Sequence, residues 1–168
     1  MDSSSIVKKA MVAALMSRTK AGIKNNEPIR ILDFSNEQGV EVRIEDKSFE
    51  GIYSNYPKPT IFLPSTKHRP MGRQSFSCAH EFGHHVFNHG FRVDEINDKI
   101  KYKCDKNTYD PAEFLADCFA SYLLMPYTLV TYAFAARNFD IKSCSPHKIF
   151  VVSCWIGVGY ETLVKHMC

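Results

Sequence analysis

The pentapeptide His80-Glu81-Phe82-Gly83-His84 sets two imidazoles four residues apart, with a carboxylate directly after the first. On an α-helix, at about 100° per residue, His80 and His84 lie roughly 40° apart around the axis. Both rings then project from one face, with Glu81 on the adjoining flank. Two imidazoles in that relation suit a tetrahedral ion such as zinc, and the neighbouring glutamate suits removal of a proton from a water beside it. The chemistry predicted is metal-assisted hydrolysis, in which the bound water becomes acidic near neutral pH and Glu81 moves its proton toward a leaving amine. Five residues alone also arise by chance on amphipathic helices, so the reading needs a third ligand.

A catalytic zinc site takes three protein ligands and keeps one position open. Downstream, Glu113-Phe114-Leu115-Ala116-Asp117 places two carboxylates on one helical face. If Glu113 binds the metal, Asp117 stands one turn further on, where it can accept a hydrogen bond from a ligand histidine. Ala116, Ala120 and Leu124 continue that face, and the small alanines let this helix approach the histidine helix closely. The stripe is also an ordinary core seam, but a core seam leaves its two carboxylates unexplained. His85 and His89 form a second pair four residues apart. A metzincin would carry Gly at 87 and His at 90, where this chain has Phe87 and Gly90. Their rings point roughly 140° to 180° away from His80, which predicts solvated or helix-end histidines, His89 being favoured by the helix dipole.

These side chains need elements to hold them, and the chain reads as one domain. Residues 1–39 predict two helices. The first is capped among Ser3–Ser5, apolar at Ile6, Ala10, Ala13 and Ala14 and stopped at Gly22; the second runs from Pro28 toward Gln38-Gly39. Residues 40–64 predict a small three-stranded meander. Val40, Val42 and Ile44 alternate with Glu41, Arg43 and Glu45, a second strand lies near Phe49–Tyr53, and a third covers Thr60–Leu63. The histidine helix falls within 68–90, with Gly90 as its stop. Residues 91–109, rich in Lys, Asp and Asn, predict a loop or lid with a short strand at Ile100–Lys103. Asp110-Pro111 opens the carboxylate helix, Met125-Pro126 ends it, and a further helix completes 110–137. A helix pair covers 145–168, from Ser145-Pro146 toward Trp155 and from Tyr160 to His166.

Composition sets bounds on function. The chain has 168 residues, 45% hydrophobic and 23% charged, enough for one ordinary core. A net charge of +3 lacks the concentrated basic surplus of a nucleic-acid binder, and the last helix offers only Lys165 and His166 as bases, too few for a DNA-reading helix. The six cysteines include no CxxC pair, so no zinc ribbon or thioredoxin-like motif is present, and most are expected as buried thiols. Lys8-Lys9 before Ala10–Met16 resembles a leader only at its lower limit; an amphipathic first helix, no membrane span and a cytoplasmic protein are expected.

Phe76-Ser77-Cys78-Ala79-His80-Glu81-Phe82-Gly83-His84, followed by Glu113-Phe114-Leu115-Ala116-Asp117-Cys118-Phe119-Ala120-Ser121-Tyr122-Leu123-Leu124-Met125-Pro126, resembles the ImmA/IrrE metallopeptidases, whose hallmark is HExxH followed by ExxAxxFAxxLLMP. Ile156–His166 is similar to the family's C-terminal ending, with Gly159 in place of the usual Ser, so the resemblance runs from about Val40 to the end. It implies an α+β, minimal zincin-like fold with a small three-stranded sheet on a mostly helical body. It further implies His80, His84 and Glu113 as gluzincin-type ligands of Zn2+, with Mn2+ as the other candidate, and Glu81 as the catalytic base. The implied substrate is a helix-turn-helix transcriptional repressor encoded nearby, cleaved at one site to relieve repression of a mobile element or stress response. No direct nucleic-acid or membrane partner is implied. The other class of reading, an inactive zincin serving as a regulatory or toxin-antitoxin binding partner, would show a missing Glu81 or a lost ligand. Tyr109, Tyr122 and His147 are candidates for stabilising an oxyanion, and Thr60–Leu63 is a candidate edge for an extended substrate.

Overall fold

The computed structural model describes residues 2–89, 92–93 and 110–168. Helix α1 spans Ser3–Lys20, and Asp2 rather than a serine occupies its N-cap position. Ile6, Ala10, Ala14 and Arg18 recur every four residues and are all buried. That stripe of small residues lets α1 lie against α4, Pro111–Leu124. Gly22, at φ 72°, ends the first helix as expected. Helix α2 covers only Ile31–Glu37, so Pro28 precedes it rather than opening it. Helix α3, Met71–Val86, carries the histidines and packs on α4 from another side. Helix α4 starts as its sequence dictates: Pro111 stands in the first turn, and the Asp110 carboxylate accepts from the amide of Ala112 at 2.8 Å. Helices α5 (Tyr127–Ala135), α6 (Pro146–Ile156) and α7 (Tyr160–Met167) complete the body.

The sheet contains β1 (Glu41–Glu45), β2 (Ile52–Ser54) and β3 (Thr60–Pro64), extended by a two-residue β4 (Arg92–Val93), in the order β1-β3-β2-β4. It is mixed, not the expected meander. Strands β1 and β3 are parallel, with Glu41 opposite Thr60, while β2 is antiparallel to both β3 and β4. The reason lies in the chain between β1 and β2. Phe49 is buried, and Glu50 accepts ion pairs from Arg69 and Arg73 at the start of α3. These contacts draw the chain past the neighbouring position, so β2 forms one strand further on and β3 inserts between them. Consequently Thr60–Leu63 is central, and the expected substrate edge is not there; among the described residues the sheet ends on β1 and β4. The alternation of β1 also fades. Val40 is buried and Val42 half-buried, but Ile44 is 48% exposed, because α2 covers only the start of this edge strand. The strand expected at Ile100–Lys103 and most of the 91–109 loop lie outside the described residues.

A single apolar core joins the layers, with Phe119, Leu123, Met125, Leu129, Phe134, Val152 and Leu163 at its centre. Each fully buried Leu or Phe contributes on the order of 1.5–3 kcal/mol. Pro111–Ala135 is long and apolar enough to cross a membrane by composition alone. Here it is two helices broken at Met125-Pro126, the first packed between α1 and α3.

Candidate metal centre

His80 and His84 are both buried, one turn apart on α3. Their Nε2 atoms lie 3.0 Å from each other. From α4, Glu113 brings Oε2 to 3.1 Å from His80 Nε2 and 3.4 Å from His84 Nε2. A tetrahedral zinc with bonds of about 2.0–2.1 Å requires ligand atoms about 3.3 Å apart. The triangle therefore has the size of one face of such a coordination sphere.

The donor chemistry fits a cation as well. Asp117, one turn after Glu113, places Oδ1 2.8 Å from His80 Nδ1. A carboxylate only accepts, so the Nδ1 proton of His80 points outward and its Nε2 lone pair points into the triangle. Lone pairs of two imidazoles and a carboxylate converging within 3.4 Å repel one another unless a proton or a metal ion lies among them. The Glu113 carboxyl responds in the same sense. With a proton among these atoms in place of an ion, hydrogen bonds from His80, then His84, hold it far below the ordinary carboxylate range, against burial, which acts the other way. These three residues could hold a metal ion.

Glu81 is fully buried on the flank of α3. A Cβ built at Gly51, just before β2, would stand 2.9 Å from Glu81 Oε1. Only a glycine lets the backbone come that close. Gly83 has a parallel role between the helices, where a Cβ would lie 3.1 Å from Phe119 Cδ1 and 3.3 Å from Ala116 Cα. The contact of α3 with α4 is thus Gly83 on Ala116, which confirms the close approach expected of the alanine stripe.

Of the solvated or helix-end histidines expected, His89 stands just past the end of α3, whereas His85 is within the helix and not solvated. His85 is half-buried, and its Nδ1 shares a hydrogen bond with the Tyr53 hydroxyl of β2 at 2.9 Å. Burial lowers the pKa of His85 and raises that of Tyr53, so both stay neutral in this contact. His89 returns to within 3.0 Å of His84, Nδ1 to Nδ1. Neither belongs to the group formed by His80, His84 and Glu113: the angular argument holds for His85, while His89 lies beyond the helix end. Two of the oxyanion candidates fall within the described residues. The ring of Tyr122 packs on His166 of α7, His147 is exposed in the first turn of α6, and Tyr109 lies outside the described residues.

Among the described residues the cysteines are less buried than expected. Cys78 is buried behind α3, its thiol pushed up to about 12 by burial. Cys118 and Cys144 are half-buried, and Cys154 and Cys168 are exposed. Sequence reasoning missed Gly51 and Gly83, whose roles depend on what packs above them. It also missed the contact of His89 with His84, for which Asn88 was the available signal, because asparagine tolerates the left-handed conformation that ends a helix.

No curated protein matches the chain. The sequence model of peptidase family M78, described as the IrrE N-terminal-like domain, matches residues 25–163. That span contains α2 through α6, the sheet and both halves of the triangle, and leaves α1 outside. With that model covering most of its length, the chain belongs to the IrrE-like M78 family of metallopeptidases.

Proposed function

We propose that this protein is a zinc-dependent endopeptidase that cuts a regulatory protein at a specific site. The observation that carries the reading is the triangle of His80, His84 and Glu113 with Asp117 behind it. Zinc, or manganese in its place, would supply a Lewis acid for the scissile carbonyl and an acidified water. The residues of the chain do the rest. His80, His84 and Glu113 hold the ion, and Asp117 keeps the His80 ring in the tautomer whose Nε2 faces inward. Glu81 takes the proton of the attacking water and passes it to the leaving amine nitrogen. Its burial and the close backbone at Gly51 keep its carboxylate in one place during both transfers.

The resemblance of its two motifs to the ImmA/IrrE peptidases leads us to propose a cytoplasmic helix-turn-helix repressor, encoded beside this gene, as the substrate. Cleavage of such a repressor relieves repression of a mobile element or stress response. The purified protein is incubated with that repressor and zinc or manganese, beside Glu81→Gln. The wild type is expected to yield one pair of fragments and Glu81→Gln none, although the variant retains its metal. Equal cleavage by both would sink the mechanism. Binding of the repressor without cleavage by the zinc-loaded wild type would favour an inactive zincin acting as a binding partner. Glu113→Ala is expected to lose the metal; unchanged metal content would remove Glu113 from the ligand set.

A further inference from the structure

The end of α3 has a defined geometry. Asn88 stands at φ 54°, the left-handed conformation. The amide of His89 donates to the His84 carbonyl at 3.0 Å, and the amide of Asn88 donates to the His85 carbonyl at 3.1 Å. These two bonds define a Schellman motif, with Asn88 as the left-handed residue and His89 the one after it. In this motif the side chain following the left-handed residue folds back over the last turn, usually as an apolar contact. Here that turn carries His84, and the returning side chain is His89, with the two Nδ1 atoms 3.0 Å apart. The ring of His89 also stacks on Phe87 at 5.7 Å between centroids, with 27° between planes, so its orientation is set from both sides.

We propose that His89 is a positioning residue of the metal centre: it accepts the Nδ1 proton of His84 and so aims the His84 Nε2 lone pair into the triangle. This rests on the reading of His84 as a metal ligand. Proton bookkeeping leads to the assignment. His84 Nε2 faces His80 Nε2 and Glu113, so a metal-bound His84 is neutral and carries its proton on Nδ1. That proton has His89 Nδ1 as its acceptor, which makes His89 neutral, with a bare Nδ1. The two histidines of the HExxH pair are then oriented by different chemistry. A carboxylate from α4 holds His80, and a neutral imidazole delivered by the end of the same helix holds His84.

Zinc affinity is measured by chelator competition for the wild type, His89→Ala and His89→Asn, the last of which keeps an acceptor near the Nδ1 position. His89→Ala is expected to bind about ten- to a hundredfold more weakly, and His89→Asn to recover most of that loss. Equal affinity of His89→Ala and wild type would overturn the proposal, as would equal weakening by Ala and Asn, which would make the role one of packing on Phe87. A second measurement needs no variant. In a long-range proton–nitrogen spectrum of the zinc-loaded wild type, His89 Nδ1 is expected without a proton, and a protonated Nδ1 would overturn the assignment. Zinc binding by the wild type that persists in His84→Ala would instead overturn the ligand reading beneath it, a result distinguishable from any His89 outcome.

Discussion

Asp117 and Gly51 show how much of the site rests on single atoms. The 2.8 Å contact of Asp117 with His80 Nδ1 predicts that Asp117→Ala weakens metal affinity about ten- to a hundredfold, read by chelator competition. Affinity unchanged from wild type would reduce that carboxylate to a surface group. Gly51 acts on Glu81 instead of on the metal. An added methyl would meet Oε1 at 2.9 Å, and the backbone at this point has little room to withdraw, because Glu50 is tied to Arg69 and Arg73. Gly51→Ala is therefore expected to lower kcat about a hundredfold, the scale of a 1 Å misplacement, while zinc stoichiometry stays at the wild-type value. Loss of both together would show a general disturbance rather than a displaced Glu81. The ExxxD spacing made Asp117 legible in the sequence, whereas Gly51 was not: a glycine before a strand reads as a turn, and only the fold shows what it faces.

At the scale of elements, two helices meeting at Gly83 and Ala116 bring Glu113 within reach of the histidines. Gly83→Val would force α3 and α4 apart against Phe119 and the Ala116 backbone. It is expected to cost about 1–3 kcal/mol of stability, seen as a lower Tm, and to weaken zinc binding as the triangle opens. A variant with wild-type affinity would show that the helix spacing does not set the site. These helices were legible because their apolar faces repeat with the helical period and their ends carry Asp110-Pro111 and Met125-Pro126. The sheet was legible only as strands. Their order turned on Glu50 pairing with arginines about twenty residues away, a contact that alternation along a strand does not encode.

Across the whole molecule, Arg18 ties α1 to the rest. Its guanidinium is fully buried and donates to the carbonyls of Leu123 at 2.7 Å, Lys24 at 2.6 Å and Glu27. Burial lowers its pKa to about 10, which leaves it ionised at neutral pH, beside the carbonyl end of α4 where the helix dipole favours a cation. Arg18→Met would take the donor from the buried Leu123 carbonyl and from two part-buried ones, and is expected to destabilise the protein by about 2 kcal/mol in urea unfolding. A midpoint unchanged from wild type would show that α1 holds without the clamp. The sequence by itself determined which residues could bind a metal and which helices carry them, because ligand spacing and helical period are local properties of the chain. Only the tertiary structure decided that Glu113 closes the triangle, that β3 lies inside the sheet, and that Gly51, His89 and Arg18 are placed where they act. Those are contacts between segments distant in sequence or beyond a helix end, set by packing that no local period records.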